Sequence, residues 1–341
     1  GFASDLRLVP GADLLAVGAR SPERAAAFAS AHGASRSYGT YEALVADPDI
    51  DVVYVATPNS AHRDHCLLSL EHGKAVLCEK PFAVNAAEAR TVIAKARDKR
   101  LFCMEAMWMR FIPLMRELPA LLDSGAIGEL RMAMIQLGFS NTVDLRRSVF
   151  NPTAGGGSLL DLGVYPLSLA SQLFGAPTHV DSQAILGATG VDEQVSVLLG
   201  YNGERQAVIT ASLRNATAND AVIMGSNGYV HIKAPLYSPT TLTLIHSPPT
   251  STARANYPRL RKVYALLKQY VPLRRPGQMR TMTRRIRGAG YSYEAAEVVR
   301  CLRAGELESP IMPLDETARI LDVVDLIRQR WVITAQAELA P

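Results

Sequence analysis

Cysteine is scarce in this chain of 341 residues: Cys66, Cys78, Cys103 and Cys301 are all there is, and no two form a CxxC pair. That scatter excludes a zinc ribbon and offers no disulfide framework. Two of the four lie in apolar, strand-like runs, so buried free thiols are expected and no metal site is. No apolar run approaches the roughly 20 residues of a membrane span. The first residues lack the charged region and uninterrupted apolar core of a secretory signal, which points to the cytoplasm. Acidic residues are absent from 251–290, which holds eleven Lys and Arg, so the net charge of +4 comes from one block and the remainder carries −7. No nucleic-acid recognition motif accompanies that charge, and no nucleic-acid partner is expected. Within it, 257–271 places Tyr257, Leu260, Tyr264 and Leu267 on one helical face; packing on its own domain is favoured over contact with a membrane.

A glycine-rich phosphate loop is also missing. The chain opens on "GFASDLRLVPGADLLAV", where residues 2–8 read as a helix with no strand and no GxGxxG before it. In the usual strand order of a dinucleotide fold the first strand is central. The runs at 12–18 and 51–57 are therefore expected to flank a gap, and NADPH binding by this chain is expected to be weak. "GGGSLLD" (155–161) lacks a preceding buried strand and the third glycine, so it is no substitute.

What is present is a βαβ alternation from residue 12 to about 105. Short apolar runs (12–20, 51–58, 76–78, 101–108) are separated by helical patterns with clear punctuation. In "SPERAAAFASAHG", Ser21 reads as an N-cap, Pro22 as the first turn and Gly33 as the stop. Beyond residue 110, longer β runs joined by Gly and Asn turns predict a mainly antiparallel sheet. They are interrupted by a helix starting near 155–172 and followed by another over 314–331. The fold class is α/β: a Rossmann-type domain over 1–110, apparently short of its first strand, then an α+β domain over 111–331 with a large open sheet and the basic insertion.

"GKAVLCEKPFA" (73–83) is the most informative stretch. Val76, Leu77 and Cys78 read as a strand buried on both faces, and Pro81 stops the ladder because it has no N–H. Glu79 and Lys80 thus sit at the carboxyl end of a parallel strand, where open α/β sheets place their ligands. Asp161 and Tyr165, four apart in "LLDLGVYP", share one helical face.

Taken in order, "TPNSAH" (57–62), "GKAVLCEKP" (73–81), "EAMWMRFIP" (105–113), "GGGSLLDLGVYP" (155–166) and the segment 293–331 resemble the glucose-fructose oxidoreductase/inositol dehydrogenase family, most of all its dimeric dihydrodiol dehydrogenase branch. The resemblance implies an NAD(P)-dependent oxidoreductase moving a hydride between nicotinamide and a sugar, polyol or cyclic diol, and a homodimer formed through the C-terminal sheet. It implies Lys80 as the proton-transfer group, Tyr165 as a second acid/base and Asp161 as their orienting carboxylate. Thr57, Pro58, Asn59, His62, Glu79 and Lys80 would lie along the cofactor, His62 in a secondary, substrate-orienting role. Trp108, Arg110, Phe111 and Phe139, with Asp161 and Tyr165, would face the substrate. At the other end of the cofactor, "VGARSPER" offers Arg20, Ser21 and Arg24 where an NAD site would carry an acid, so NADP is favoured and NAD remains possible; two surface arginines are the other reading. The competing function is a cofactor-poor paralogue serving as a binding or scaffold protein.

Overall fold

The computed structural model describes residues 1–247 and 279–338, with side chains to residue 331. Strands β1 (Ala16–Gly18) and β2 (Arg36–Tyr38) pair in parallel; β3 (Val52–Val55), β4 (Ala75–Glu79) and β5 (Cys103–Ala106) make a second parallel sheet. β1 and β3 belong to separate sheets and stand on either side of a cleft of about 1660 Å³. The helices between strands begin where the sequence has capping side chains. Ser21 accepts from the Arg24 N–H at the head of Pro22–His32, and Gly33 closes it in the left-handed conformation. Asn85 does the same for Ala86–Lys99.

Val76, Leu77 and Cys78 on β4 are 0–2% exposed, and each such apolar side chain contributes about 1.5–3 kcal/mol by leaving water. β4 is the middle strand of its sheet, so its end is held by both neighbours and by the helices packed over it. That is what gives Glu79 and Lys80 a fixed origin.

The second half is an eight-stranded sheet in the order β13-β12-β11-β10-β6-β9-β8-β7, formed by Met279–Thr283, Thr241–His246, Gly228–Ile232, Ala221–Gly225, Leu130–Gly138, Arg205–Ser212, Asp192–Tyr201 and His179–Leu186. Every pairing is antiparallel except β6 with β9. Alternation along β6 and β8 sends Ala133, Ile135, Val195 and Val197 inward against the helices Val164–Phe174 and Leu314–Glu338, and leaves Met134 and Leu198 outside. β2 and β13 are strands the sequence reading had not marked. The segment 257–271 and most of the basic insertion fall outside the described residues.

The glycines of "GGGSLLD" serve close packing. A side chain at Gly156 would meet the Ser148 carbonyl oxygen at 2.5 Å; at Gly157, with φ +126°, it would strike the Asp192 carboxylate. Asp192 in turn accepts hydrogen bonds from the Ser158 hydroxyl at 2.8 Å and the Leu159 N–H at 2.6 Å. It thereby starts the π-helical turn Leu159–Gly163 that carries Asp161 and runs on into Val164–Phe174 with Tyr165. Wide turns of this kind occur often at functional sites.

Candidate active site

Lys80 leaves the end of β4 and crosses to the second half of the molecule. Its ammonium donates to the Asp161 carbonyl at 2.8 Å and to the Asp161 carboxylate at 3.3 Å, and lies 5.0 Å from the centre of the Tyr165 ring. The lysine side chain is 15% exposed, which leaves the ammonium reachable from one side only. Burial opposes the charge, but the surrounding anions outweigh it and the Lys80 pKa moves up. Burial also raises the Tyr165 phenol, against the pull of Lys80. Tyr165 is therefore neutral near neutral pH, which leaves Asp161 and Glu79 to hold the lysine charged. Its hydroxyl oxygen accepts from the Trp108 indole N–H at 2.8 Å.

Around this pair stands an aromatic wall. The Tyr237 ring lies 5.6 Å from Trp108, 6.1 Å from Phe139 and 6.3 Å from Tyr165, and Tyr291 stacks on Trp108 at 4.7 Å. Tyr291 is placed by Asp5, whose carboxylate accepts from three successive backbone N–H groups, Ala289, Gly290 and Tyr291. Neither tyrosine was among the residues singled out from sequence; each sits in a loop without a local pattern.

Of the residues expected along the cofactor, Thr57, Pro58 and Glu79 line the cleft between β1 and β3, as do Arg20 and Arg24. The two arginines are exposed, and neither has an ion-pair partner among the described residues. Ser21 is occupied as the helix cap. Asn59 donates to the Gly155 carbonyl at 3.0 Å and so ties the two halves together. Glu79 accepts from the Tyr54 hydroxyl and from the Lys80 N–H. The cleft takes in the gap expected between the 12–18 and 51–57 runs, with exposed Arg20 and Arg24 on one part of its rim and Thr57, Pro58 and Glu79 on another. Among the described residues, no cluster of His, Cys, Asp and Glu is placed to hold a metal ion.

Three expectations are corrected. Arg110 does not face a substrate: it is 2% exposed, and its guanidinium is committed to the Ser168 hydroxyl at 2.8 Å, the Ser168 carbonyl at 2.7 Å and Glu316 at 2.6 Å. Phe111, beside it on the same short turn, is 4% exposed and packed into the core, with none, among the described residues, of the ring contacts that join Trp108 to Tyr165, Tyr237 and Tyr291. His62 cannot orient a substrate, because it is 1% exposed and both ring nitrogens contact backbone carbonyls, Pro81 and Thr57, at 2.8 Å each. Burial moves its pKa below the ordinary imidazole value, against the pull of those carbonyls.

Residues 3–107 match the family model of the GFO/IDH/MocA oxidoreductases, described as an oxidoreductase family with an NAD-binding Rossmann fold, and 115–231 match that family's C-terminal domain. The chain belongs to this family. Among GFO/IDH/MocA relatives, trans-1,2-dihydrobenzene-1,2-diol dehydrogenase of Oryctolagus cuniculus is 37% identical over 98% of this chain and 95% of its own length. The Homo sapiens enzyme of the same name is 36% identical, covering 98% and 93%. The fold is shared with aldose-aldose oxidoreductase of Caulobacter crescentus, with a TM-score of 0.80 at 22% identity over 96% of this chain and 92% of that one. Levoglucosan dehydrogenase gives 0.79 at 21%, over the same shares. This GFO/IDH/MocA member is thus an oxidoreductase with a nicotinamide-binding fold.

Proposed function

We propose that the protein interconverts a CH–OH group and its carbonyl on a cyclic diol or a sugar, with NADP preferred over NAD. The observation that carries this reading is the Lys80 ammonium held against Asp161 and Tyr165 beside an aromatic wall, one residue beyond Glu79, which lines the long cleft. Bound nicotinamide supplies or accepts the hydride. What the chain provides is the proton and the place. In the reducing direction Lys80 Nζ gives its proton to the carbonyl oxygen as charge develops there; in oxidation the neutral amine takes the hydroxyl proton. Asp161 holds the amine in line, and Tyr165 is the second donor on the same path. Trp108, Tyr237 and Phe139 cover the apolar face of a ring-shaped substrate, which suits a dihydrodiol such as the one named for the relatives.

Arg20 and Arg24 support NADP, since two uncommitted guanidinium groups match a 2′-phosphate better than a ribose hydroxyl pair. The scaffold reading is not favoured, because a scaffold has no need of a charged lysine kept inside an aromatic pocket. We divide the chain near residue 110 and place the protein in the cytoplasm, where its four buried free thiols would stay reduced. A homodimer is supported by the open face of the large sheet. There His231, Val222, Met134, Val208 and Leu198 form one row across five strands, with Met134 50% exposed. Sedimentation of Met134→Lys is expected to show a monomer where the parent is a dimer.

The test is a screen of dihydrodiols, inositols and aldoses, read by nicotinamide absorbance with each cofactor in turn. Turnover of a cyclic diol or sugar with NADP is the expected result; no turnover of any would overturn the reading.

A further inference from the structure

The peptide bond between Pro81 and Phe82, one residue beyond Lys80, is gripped at both of its polar atoms. Its carbonyl oxygen meets His62 Nδ1 at 2.8 Å, and its N–H donates to Glu105 Oε1 at 3.2 Å. Each gripping side chain is anchored again from behind. His62 Nε2 meets the Thr57 carbonyl at 2.8 Å, and Glu105 Oε2 accepts from the Thr317 hydroxyl at 2.9 Å. Four separate pieces of chain therefore converge on one amide: the loop after β3, the head of the helix His62–Glu71, strand β5 and the helix Leu314–Glu338. Both side chains are nearly fully buried, His62 at 1% and Glu105 at 3% exposure. Burying an imidazole and a carboxyl is costly, and a strand end needs neither for its own ladder. Their common object is the amide that sets the direction in which Lys80 leaves the strand.

We propose that His62 and Glu105 are positioning residues that clamp the Pro81–Phe82 peptide and thereby hold Lys80 Nζ against Asp161. The clamp rests on the assignment of Lys80 as the proton-transfer group. A ring bearing both protons satisfies both carbonyls, and a neutral ring satisfies one. The charged and titratable groups facing His62 are Glu79, Lys80 and His65; those facing Glu105 are Arg110, Glu316 and Cys78. Lys80 itself faces Asp161, Glu79 and Tyr165.

Two variants test the clamp independently. Glu105→Ala removes the acceptor, whereas Glu105→Gln keeps it: its carbonyl oxygen accepts from Phe82 and its amide donates to Thr317. His62→Ala removes the other jaw. With kcat and KM for NADPH measured on each, Glu105→Ala and His62→Ala are expected to lower kcat about tenfold or more with KM for NADPH within about twofold. Glu105→Gln is expected to stay within about threefold of the parent. A second readout needs no turnover. Acylation of Lys80 by an amine-directed reagent, followed by mass spectrometry across pH, should begin at lower pH in the two alanine variants than in the parent, because a lysine released from Asp161 loses its stabilised charge. Glu105→Gln should keep the parental profile. Folded alanine variants with unchanged kcat and an unchanged labelling profile would overturn the clamp. A labelling shift in a protein that turns over no diol or sugar would uphold the clamp and sink the proposed function instead.

Discussion

The lysine pocket and the arginine-bearing rim of the cleft are built on opposite plans. In the lysine pocket the polar groups are buried or half-buried and committed: Lys80 to Asp161, Tyr165 to Trp108, Glu79 to Tyr54. On the rim Arg20 and Arg24 stand exposed, with no ion-pair partner among the described residues. On the proposed roles, the difference follows from what each place has to do. A group that moves a proton must keep one position and a set charge before the substrate arrives, and burial amplifies every charge around it. A group that recognises a phosphate gains by staying uncommitted, because a prior partner would have to be displaced.

Removing the lysine should break that comparison most severely. Lys80→Met is expected to abolish turnover, a loss of at least about a thousandfold, while NADPH affinity read by nicotinamide fluorescence stays within a few-fold; comparable turnover in variant and parent would sink the assignment. Tyr165→Phe comes next, with a loss of about ten- to a hundredfold if the two groups share one proton path. A larger loss from the tyrosine than from the lysine would exchange their roles.

On the rim, Arg24→Ala and Arg20→Ala should leave kcat near the parental value and weaken NADPH by about tenfold each, with NADH hardly changed. Equal losses for the two cofactors would mean that neither arginine reads the 2′-phosphate. Titration sharpens the contrast further. Lys80 and Tyr165 both hold their protons at neutral pH, since both pKa values move up. The rate of diol oxidation should therefore rise with pH through the alkaline range, and reduction should not.

The smallest effect concerns Glu294, which lies under Glu79 and breaks the pattern of the lysine pocket. It is fully buried, and neither carboxylate oxygen has a hydrogen-bond partner. Burial, reinforced by Glu79, drives its pKa well above the ordinary carboxyl value. The folded protein thus binds a proton that the unfolded chain releases above about pH 4.5. The associated stability is complete below that pH and declines as pH rises towards the folded pKa. Glu294→Gln should flatten the fall of Tm between pH 6 and 9 by a few degrees; an unchanged slope would show that the carboxyl is ionised in the fold. Glu105, raised by burial to about 7 despite its bonds to Thr317 and Phe82, acts in the same direction over the window from about 4.5 to 7.

The parts of the site that were legible in the sequence are those carried by local pattern. An apolar run cut off by a proline puts Lys80 at a strand end, and a four-residue spacing puts Asp161 and Tyr165 on one helical face; their selection as site residues rests on the family resemblance. Parts that depend on distant chain were not. Arg110 reads as a pocket residue because its partners Ser168 and Glu316 lie 58 and 206 positions away. Tyr237 and Tyr291 come from loops, and Glu105 is hidden in a strand where an acid looks out of place. The strand β2, "RSY", has no apolar alternation, since Arg36 is there to pair with Asp47 at 2.7 Å and β2 has a single neighbour. β13 escaped for a similar reason, as an edge strand whose side chains are nearly all exposed.

Phe139 and Tyr237 belong to the sheet-bearing half, and Lys80 to the nucleotide-type half. On the proposed reading the proton path draws on both halves, Lys80 from the first and Asp161 and Tyr165 from the second, and the aromatic wall likewise joins Trp108 to the later Tyr237. On that proposal, substitutions at Phe139 and Tyr237 would remodel what the protein accepts while Lys80 keeps its place, so a lineage with this architecture could change its diet without relearning its chemistry.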